Sequence, residues 1–297
     1  MTNTRPPTPF NRFIGVDWSG ARGPRLPGLQ VAVAQSGRSA PRLVSCPEGK
    51  HWTRPAFVAW FLDTVQIPDR VLAGFDFAFS FPRSDYGSFF PGVSDGPENA
   101  RDLWQCVESI CRESEGFYAA RFVETGPYAA YFQGGQRFER RMRLTDRRCL
   151  ESGLGRPESI FRLVGPAQVA KGSLAGMRVL HNLRQNVACL SVWPFDAVPQ
   201  RKPAVVTVDM YPGAFVRMSS VARGKIRDVQ SLNSVLRYFG SAPVGADALD
   251  GGATDDKADA LIAAAALRHI SSNGTVWHPV GLSDACRWQE GWIFGIS

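Results

Sequence analysis

Histidine, paired cysteine and long apolar runs are all scarce in this 297-residue chain, and each shortage removes a class of function. Its four histidines, His51, His181, His269 and His278, lie far apart, and its six cysteines form no CxxC pair. That disfavours a zinc knuckle, a disulfide framework and a histidine-rich zinc site, and leaves carboxylates as the metal ligands to look for. The cysteines read as reduced and mostly buried. No stretch approaches the roughly 20 apolar residues of a membrane-spanning helix, the longest run being Ala260 to Leu267. The first residues, MTNTRPPTPFNR, hold neither a continuous apolar segment nor a small-residue cleavage site. The expectation is a soluble, cytoplasmic protein with no membrane partner. The patterns GxxxxGK(S/T) and HExxH are also missing, so phosphate-loop ATPase and zincin readings have no motif behind them.

What is present is the composition of a globular protein, 44% hydrophobic and 21% charged, long enough to bury a full core. A single domain over 1–297 is expected. The net charge of +7, with a pI of about 9.3, suits a polyanionic partner, because a basic surface attracts phosphate backbones. Net charge bears on association rather than on reaction type.

Phe13 to Asp17 (FIGVD) is a short apolar run that ends in an acid and the turn residues Ser19-Gly20, the pattern of a buried strand stopping at a loop. LQVAVAQ from Leu29 and RLVSC from Arg42 follow with turn-rich links, which predicts an antiparallel meander. From the capping residue Thr53, the spacing of Phe57, Trp60, Phe61 and Val65 predicts a helix as far as Pro68. VLAGFDFAF from Val71 reads as another buried strand. Between about 84 and 166, periodicity is poor and Gly, Pro, Arg and aromatics abound, so loops and short helices inserted into the core are expected. Leu174, Met177, Leu180 and Leu183 then mark a helix with Ser173 as its cap, followed by strands in CLSVWPF and AVVTVDMY. A helix near Leu232 to Phe239 precedes GADALDGGATDD and a strongly apolar helix from Asp255 to about His269. The sum is an α/β fold: a mixed five- or six-stranded sheet flanked by helices, with a helical and loop insertion.

The acids carry the functional information. Asp17 ends one apolar strand, Asp76 lies within another, and Asp209 stands at the end of a third. Asp256 and Asp259, three apart, share one face of a helix whose next turns are wholly apolar. Each has a plain structural alternative as a turn acid, a backbone acceptor or a helix cap. Converging, four carboxylates would repel one another by about 4 kcal/mol per pair at 4 Å and an effective dielectric near 20. A divalent cation offsets that, and hard oxygen ligands select Mg²⁺ or Mn²⁺, two of which can activate water and stabilise a leaving oxygen at phosphorus.

GVDWSG at Gly15, GFDFAFSFP at Gly74 and DKADALIAAAALR at Asp256 together resemble the acidic motifs of the ribonuclease H-like superfamily, and DKADAL is similar to the paired acids of RuvC-type Holliday-junction resolvases. With FRLVGPAQVAKGSLAGM from Phe161, VDMYPGAF from Val208 and EGWIFGI from Glu290, the chain resembles the predicted ribonuclease-H-like nuclease family catalogued as domain of unknown function 429. The resemblance implies a ribonuclease-H-like fold and a metal-dependent nuclease. In it, Asp17 would be the bridging ligand, Asp76 the second-strand ligand, and Asp259 with Asp256 the ligands from the last helix. Asp209 stands where that family often has Glu, and its shorter side chain gives it an auxiliary place.

Candidate substrate contacts are Ser19 in the turn after the first acid, and Lys171 with Ser173, where a helix start and an ammonium favour a phosphate unless this is an ordinary capped helix. Arg140 and Arg141 lie in RFERRMRLTDRR, six arginines against two acids, after Tyr128, Tyr131 and Phe132. Such a segment suits a nucleic-acid surface, or else a solvated helix face. Two other readings compete with the nuclease. One is a non-catalytic nucleic-acid-binding module of the same fold, and the other a sugar-kinase or actin-like phosphotransferase, which the lack of an internal repeat disfavours.

Overall fold

The computed structural model describes residues 6–67, 69–163 and 169–297. The elements run β1 (Arg12–Asp17), β2 (Gln30–Gln35), β3 (Arg42–Leu43), α1 (Arg54–Thr64), β4 (Arg70–Phe75), α2 (Ala100–Cys111), α3 (Arg121–Glu124), α4 (Leu144–Glu151), α5 (Ala170–Asn186), β5 (Leu190–Trp193), β6 (Ala204–Asp209), α6 (Pro212–Met218), α7 (Val229–Tyr238), α8 (Thr254–Ile270) and α9 (Asp284–Gln289). Pro68, the expected end of the first helix, lies outside the described residues. So do 164–168, which include part of the segment from Phe161 and the far boundary of the insertion.

The strands form one mixed sheet of six in the order β3-β2-β1-β4-β6-β5. β1 to β3 are the expected antiparallel meander, with Phe13 opposite Ala34 and Asp17 opposite Gln30. β4 pairs parallel to β1, and β6 parallel to both β4 and β5, with Gly15 opposite Gly74 and Phe75 opposite Asp209. The carboxyl ends of β1, β4 and β6 therefore share one edge of the sheet. β4 and β6 are buried along their whole length, as parallel strands covered on both faces must be.

Side chains alternate across the sheet, and that alternation sorts the two cores. Ile14, Val16, Val71 and Phe75 face Phe57 and Phe61 of α1 and Leu174 and Met177 of α5. Phe13, Leu72, Val206 and Val208 face the Ala-rich stretch of α8. Gly15 shows why that stretch is alanine. A Cβ placed on Gly15 would lie 2.4 Å from the carbonyl oxygen of Ala260 and 2.6 Å from the amide nitrogen of Ala264, so helix and strand meet backbone to backbone. Among the described residues no helix is long and apolar enough to cross a membrane.

Two local expectations need correction. Asp76 sits just past β4 rather than within it, its amide donating to the carbonyl of Val16 at 3.0 Å. Ser173 is no cap: α5 begins at Ala170, and Ser173 lies a turn inside it. The inserted region holds the expected loops and short helices, with α2 capped by Asn99 and Phe81, Phe90, Phe122, Phe132 and Phe161 interlocked in the same core as α1 and α5.

Candidate active site

Asp17 is the last residue of β1, and alternation from Gly15 turns it toward α8. Asp256 and Asp259 look back from the first turns of that helix. Asp76, beyond β4 with its neighbour Gly74 against Leu267 of α8, comes to the same side. Asp17 and Asp259 are almost fully buried at 5% and 3% exposure, while Asp76 and Asp256 are half-buried. Asp17 lies close enough to share a proton with Asp76 and with Asp256. Asp76, Asp259 and Asp256 all bear electrostatically on Asp17, so four acids separated by up to 242 positions of sequence (Asp17 to Asp259) gather in one neighbourhood.

Their electrostatics follow from crowding in a dry place. Burial first, then repulsion from Asp76 and Asp259, holds the Asp17 carboxyl well above its ordinary value. Burial, reinforced by Asp259 and Asp209, pushes Asp76 up to about 7. Asp256 and Asp259 are raised as well, in each case chiefly by burial. Among the described residues one cation reaches the cluster. Nζ of Lys225, which arrives from the segment between α6 and α7, donates to Oδ2 of Asp259 at 2.5 Å although half of its side chain stays exposed. Burial opposes this ammonium, but attraction to Asp259, Asp17 and Asp76 outweighs it and raises its proton affinity. Sequence reasoning missed Lys225. Its signal was RGKIRD, alternating cations around Ile226, whose buried side chain anchors the segment.

Asp209 does not join the cluster as a free ligand. Val206 and Val208 face α8, so Asp209 alternates to the opposite face and meets Arg143. Arg143 Nη1 donates to Asp209 Oδ2 at 2.6 Å, while Nη2 and Nε donate to the two oxygens of Asp146 at 2.9 and 3.1 Å. Burial still lifts Asp209 to about 6, against the pull of Arg143. Arg143, fully enclosed, is the second residue missed, and the spacing of Arg143 and Asp146 at the start of α4 was its trace. A cavity of 210 Å³ opens between the two groups, lined by Trp18, Asp76, Arg143, Ser173, Asp209 and Tyr211.

The expected substrate contacts divide. Ser173 lines this cavity, but its hydroxyl accepts the amide of Ala78 at 3.1 Å, and the carbonyl of Gly172 accepts the indole N–H of Trp18 at 3.0 Å. The start of α5 is thus pinned to the strand ends, with Lys171 beside it, 3.9 Å from Glu124. Ser19 keeps its hydroxyl local, accepting the amide of Ala21 at 3.3 Å. Arg141 is a structural residue. Only 7% exposed, it grips Asp85 through two hydrogen bonds of 2.9 and 2.6 Å and donates to the carbonyls of Pro82, Ser88 and Phe89. Arg140 is exposed and paired with Glu158 at 2.8 and 2.9 Å.

Among the described residues no three His, Cys, Asp or Glu side chains stand in a metal-ligand arrangement. The chemistry of the donor set still suits a hard divalent cation: among the described residues four carboxylates face one ammonium, and burial raises the proton affinity of each of the four acids. Comparison of the chain with family models, with curated proteins and with solved structures gave no match in any of the three.

Proposed function

We propose that the protein is a metal-dependent phosphodiester hydrolase with a ribonuclease-H-like fold, a nuclease whose acidic centre is Asp17, Asp76, Asp256 and Asp259. The observation that carries this reading is the convergence of four acids, remote in sequence, at the carboxyl edge of parallel strands with too little positive charge around them. Function in open α/β sheets gathers at that edge. The antiparallel meander, the parallel strands beyond it and a closing helix laid on β1 support the fold assignment.

Mg²⁺ or Mn²⁺ bound there would activate water and neutralise charge on the leaving oxygen. The chain's own residues do the rest. Asp17 and Asp259 are aimed by the β1–α8 contact, and Asp76 and Asp256 complete the oxygen donors. Lys225, held only by its tip with half of its side chain exposed, could swing away from Asp259 and free that carboxylate as an oxygen donor. Arg143 keeps Asp209 turned away and adds positive charge at the cavity wall, where a nucleic-acid phosphate would lie against Trp18 and the start of α5.

A cleavage screen over single-stranded, duplex, hybrid and junction nucleic acids with Mg²⁺ or Mn²⁺ tests the proposal. Wild type should cut at least one class, and Asp17→Asn and Asp259→Asn should lose at least a hundredfold in rate; equal rates in both variants reject the site. The pairing of Lys225 with Asp259 also favours a second reading, a nucleic-acid-binding module whose acids are neutralised internally. Calorimetry separates the two, since the module would take up no Mn²⁺ in a manner that depends on Asp17.

A further inference from the structure

A second charged feature lies across the β1–β2 loop from the acids. Arg54 opens α1 and is only 2% exposed, yet among the described residues its guanidinium meets no carboxylate. Its Nη2 donates to the carbonyls of Ser19 and Ala21 at 2.7 and 2.9 Å, its Nη1 donates to that of Gly116 at 3.3 Å, and its Nε is buried without a partner. The adjacent buried arginine, Arg178, differs, because Glu108 neutralises it at 2.7 Å. Arg178 in fact repels Arg54, and burial with that repulsion lowers the Arg54 guanidinium to about 10. A buried ion without a counter-ion is costly, so such a charge is retained where a ligand supplies the opposite sign.

Arg54 lines a cavity of 640 Å³ that Arg22, Thr53, Ser114, Glu115 and Tyr118 also border. Arg22 stands exposed at its rim. Glu115 is the one acid on the wall, exposed and able to turn to water.

We infer that this cavity is a phosphate-binding subsite, in which Arg54 from below and Arg22 from the rim take a phosphoanion, either free or carried on a nucleic-acid strand. Carbonyl contacts from Arg54 to Ser19 and Ala21 join the subsite to the loop that leaves Asp17, so an occupant would brace that loop against the acidic centre. The inference does not require the nuclease reading.

Calorimetry with sodium pyrophosphate, at low salt and with EDTA so that no metal links the anion to the acids, tests it. Wild type should bind. Arg22→Glu, an exposed change, should weaken binding at least tenfold, Arg54→Lys should do likewise, and Asp17→Asn should leave it unaltered. A 5′-phosphorylated oligonucleotide in parallel distinguishes the source: equal weakening by Arg22→Glu marks a strand phosphate, whereas weakening for pyrophosphate alone marks the free anion. Absence of pyrophosphate binding in wild type, or equal affinity in wild type and Arg22→Glu, overturns the proposal even if Arg54→Lys does not fold.

Discussion

Two charged groups stand side by side at the carboxyl edge of the sheet and have opposite characters. In Asp146–Arg143–Asp209 each carboxylate meets the planar fork of one guanidinium at 2.6 to 3.1 Å. In Asp17–Asp76–Asp256–Asp259 four acids share one flexible ammonium that enters from solvent. Arginine gives fixed geometry and a permanent charge, while lysine gives a point charge on a stem that can leave. On the proposed function, the first group would be a fixed wall of the site and the second the part that exchanges its cation.

Removing Arg143 should have the largest effect. Arg143→Ala strands two buried carboxylates, and urea unfolding should show a loss of about 3–5 kcal/mol, as breaking a buried pair does. A loss below 1 kcal/mol would show that the two groups are not different in kind. Arg141→Ala should come next, at about 2–3 kcal/mol, because Asp85 and three carbonyls lose their donor; the salt dependence of nucleic-acid binding should not change with it.

Asp76 sharpens the contrast through pH. Its folded value of about 7 exceeds the ordinary 3.8, so between these limits the folded protein holds a proton that the unfolded chain has released. Its contribution is therefore complete at low pH and is lost as pH rises through about 7. In EDTA, Asp76→Asn should melt higher than wild type at pH 8, by at least about 1 kcal/mol equivalent, and the gap should narrow as pH falls below 7 and close only near 3.8. A gap of constant size would mean that Asp76 is not crowded. Arg140→Ala should be smallest, a few tenths of a kcal/mol, since exposed ion pairs contribute little; equilibrium unfolding resolves it, and a cost above 1 kcal/mol would place Arg140 with the fixed pairs.

Much of this arrangement was legible in the sequence. FIGVD, VLAGF and AVVTVD announced strands by apolar run and terminal acid, and DKADALIAAAALR announced a helix with two acids on one face. The side to which Asp209 turns was not legible, because a parallel strand buried on both faces has no polar stripe to reveal its parity. Arg141 and Arg143 looked like members of a solvated basic run, since a string of arginines does not say which acids, Asp85 or Asp209, fold back onto it. Lys225 lay 34 residues from its partner Asp259 in a segment with no regular structure, where no periodicity points. Ser173 had the chemistry of a cap, but the helix continued past it to Ala170 because the turn before it docks on Gly20.

The contact of Gly15 with Ala260 and Ala264 leaves no room even for a methyl group between strand and helix. The separation of the acids on β1 from those on α8 is consequently a property of two main chains rather than of any side-chain packing, and repacking the surrounding core would leave it untouched. A single added carbon at position 15 would instead act as a wedge, prying the helix outward and opening the acidic centre along its whole width.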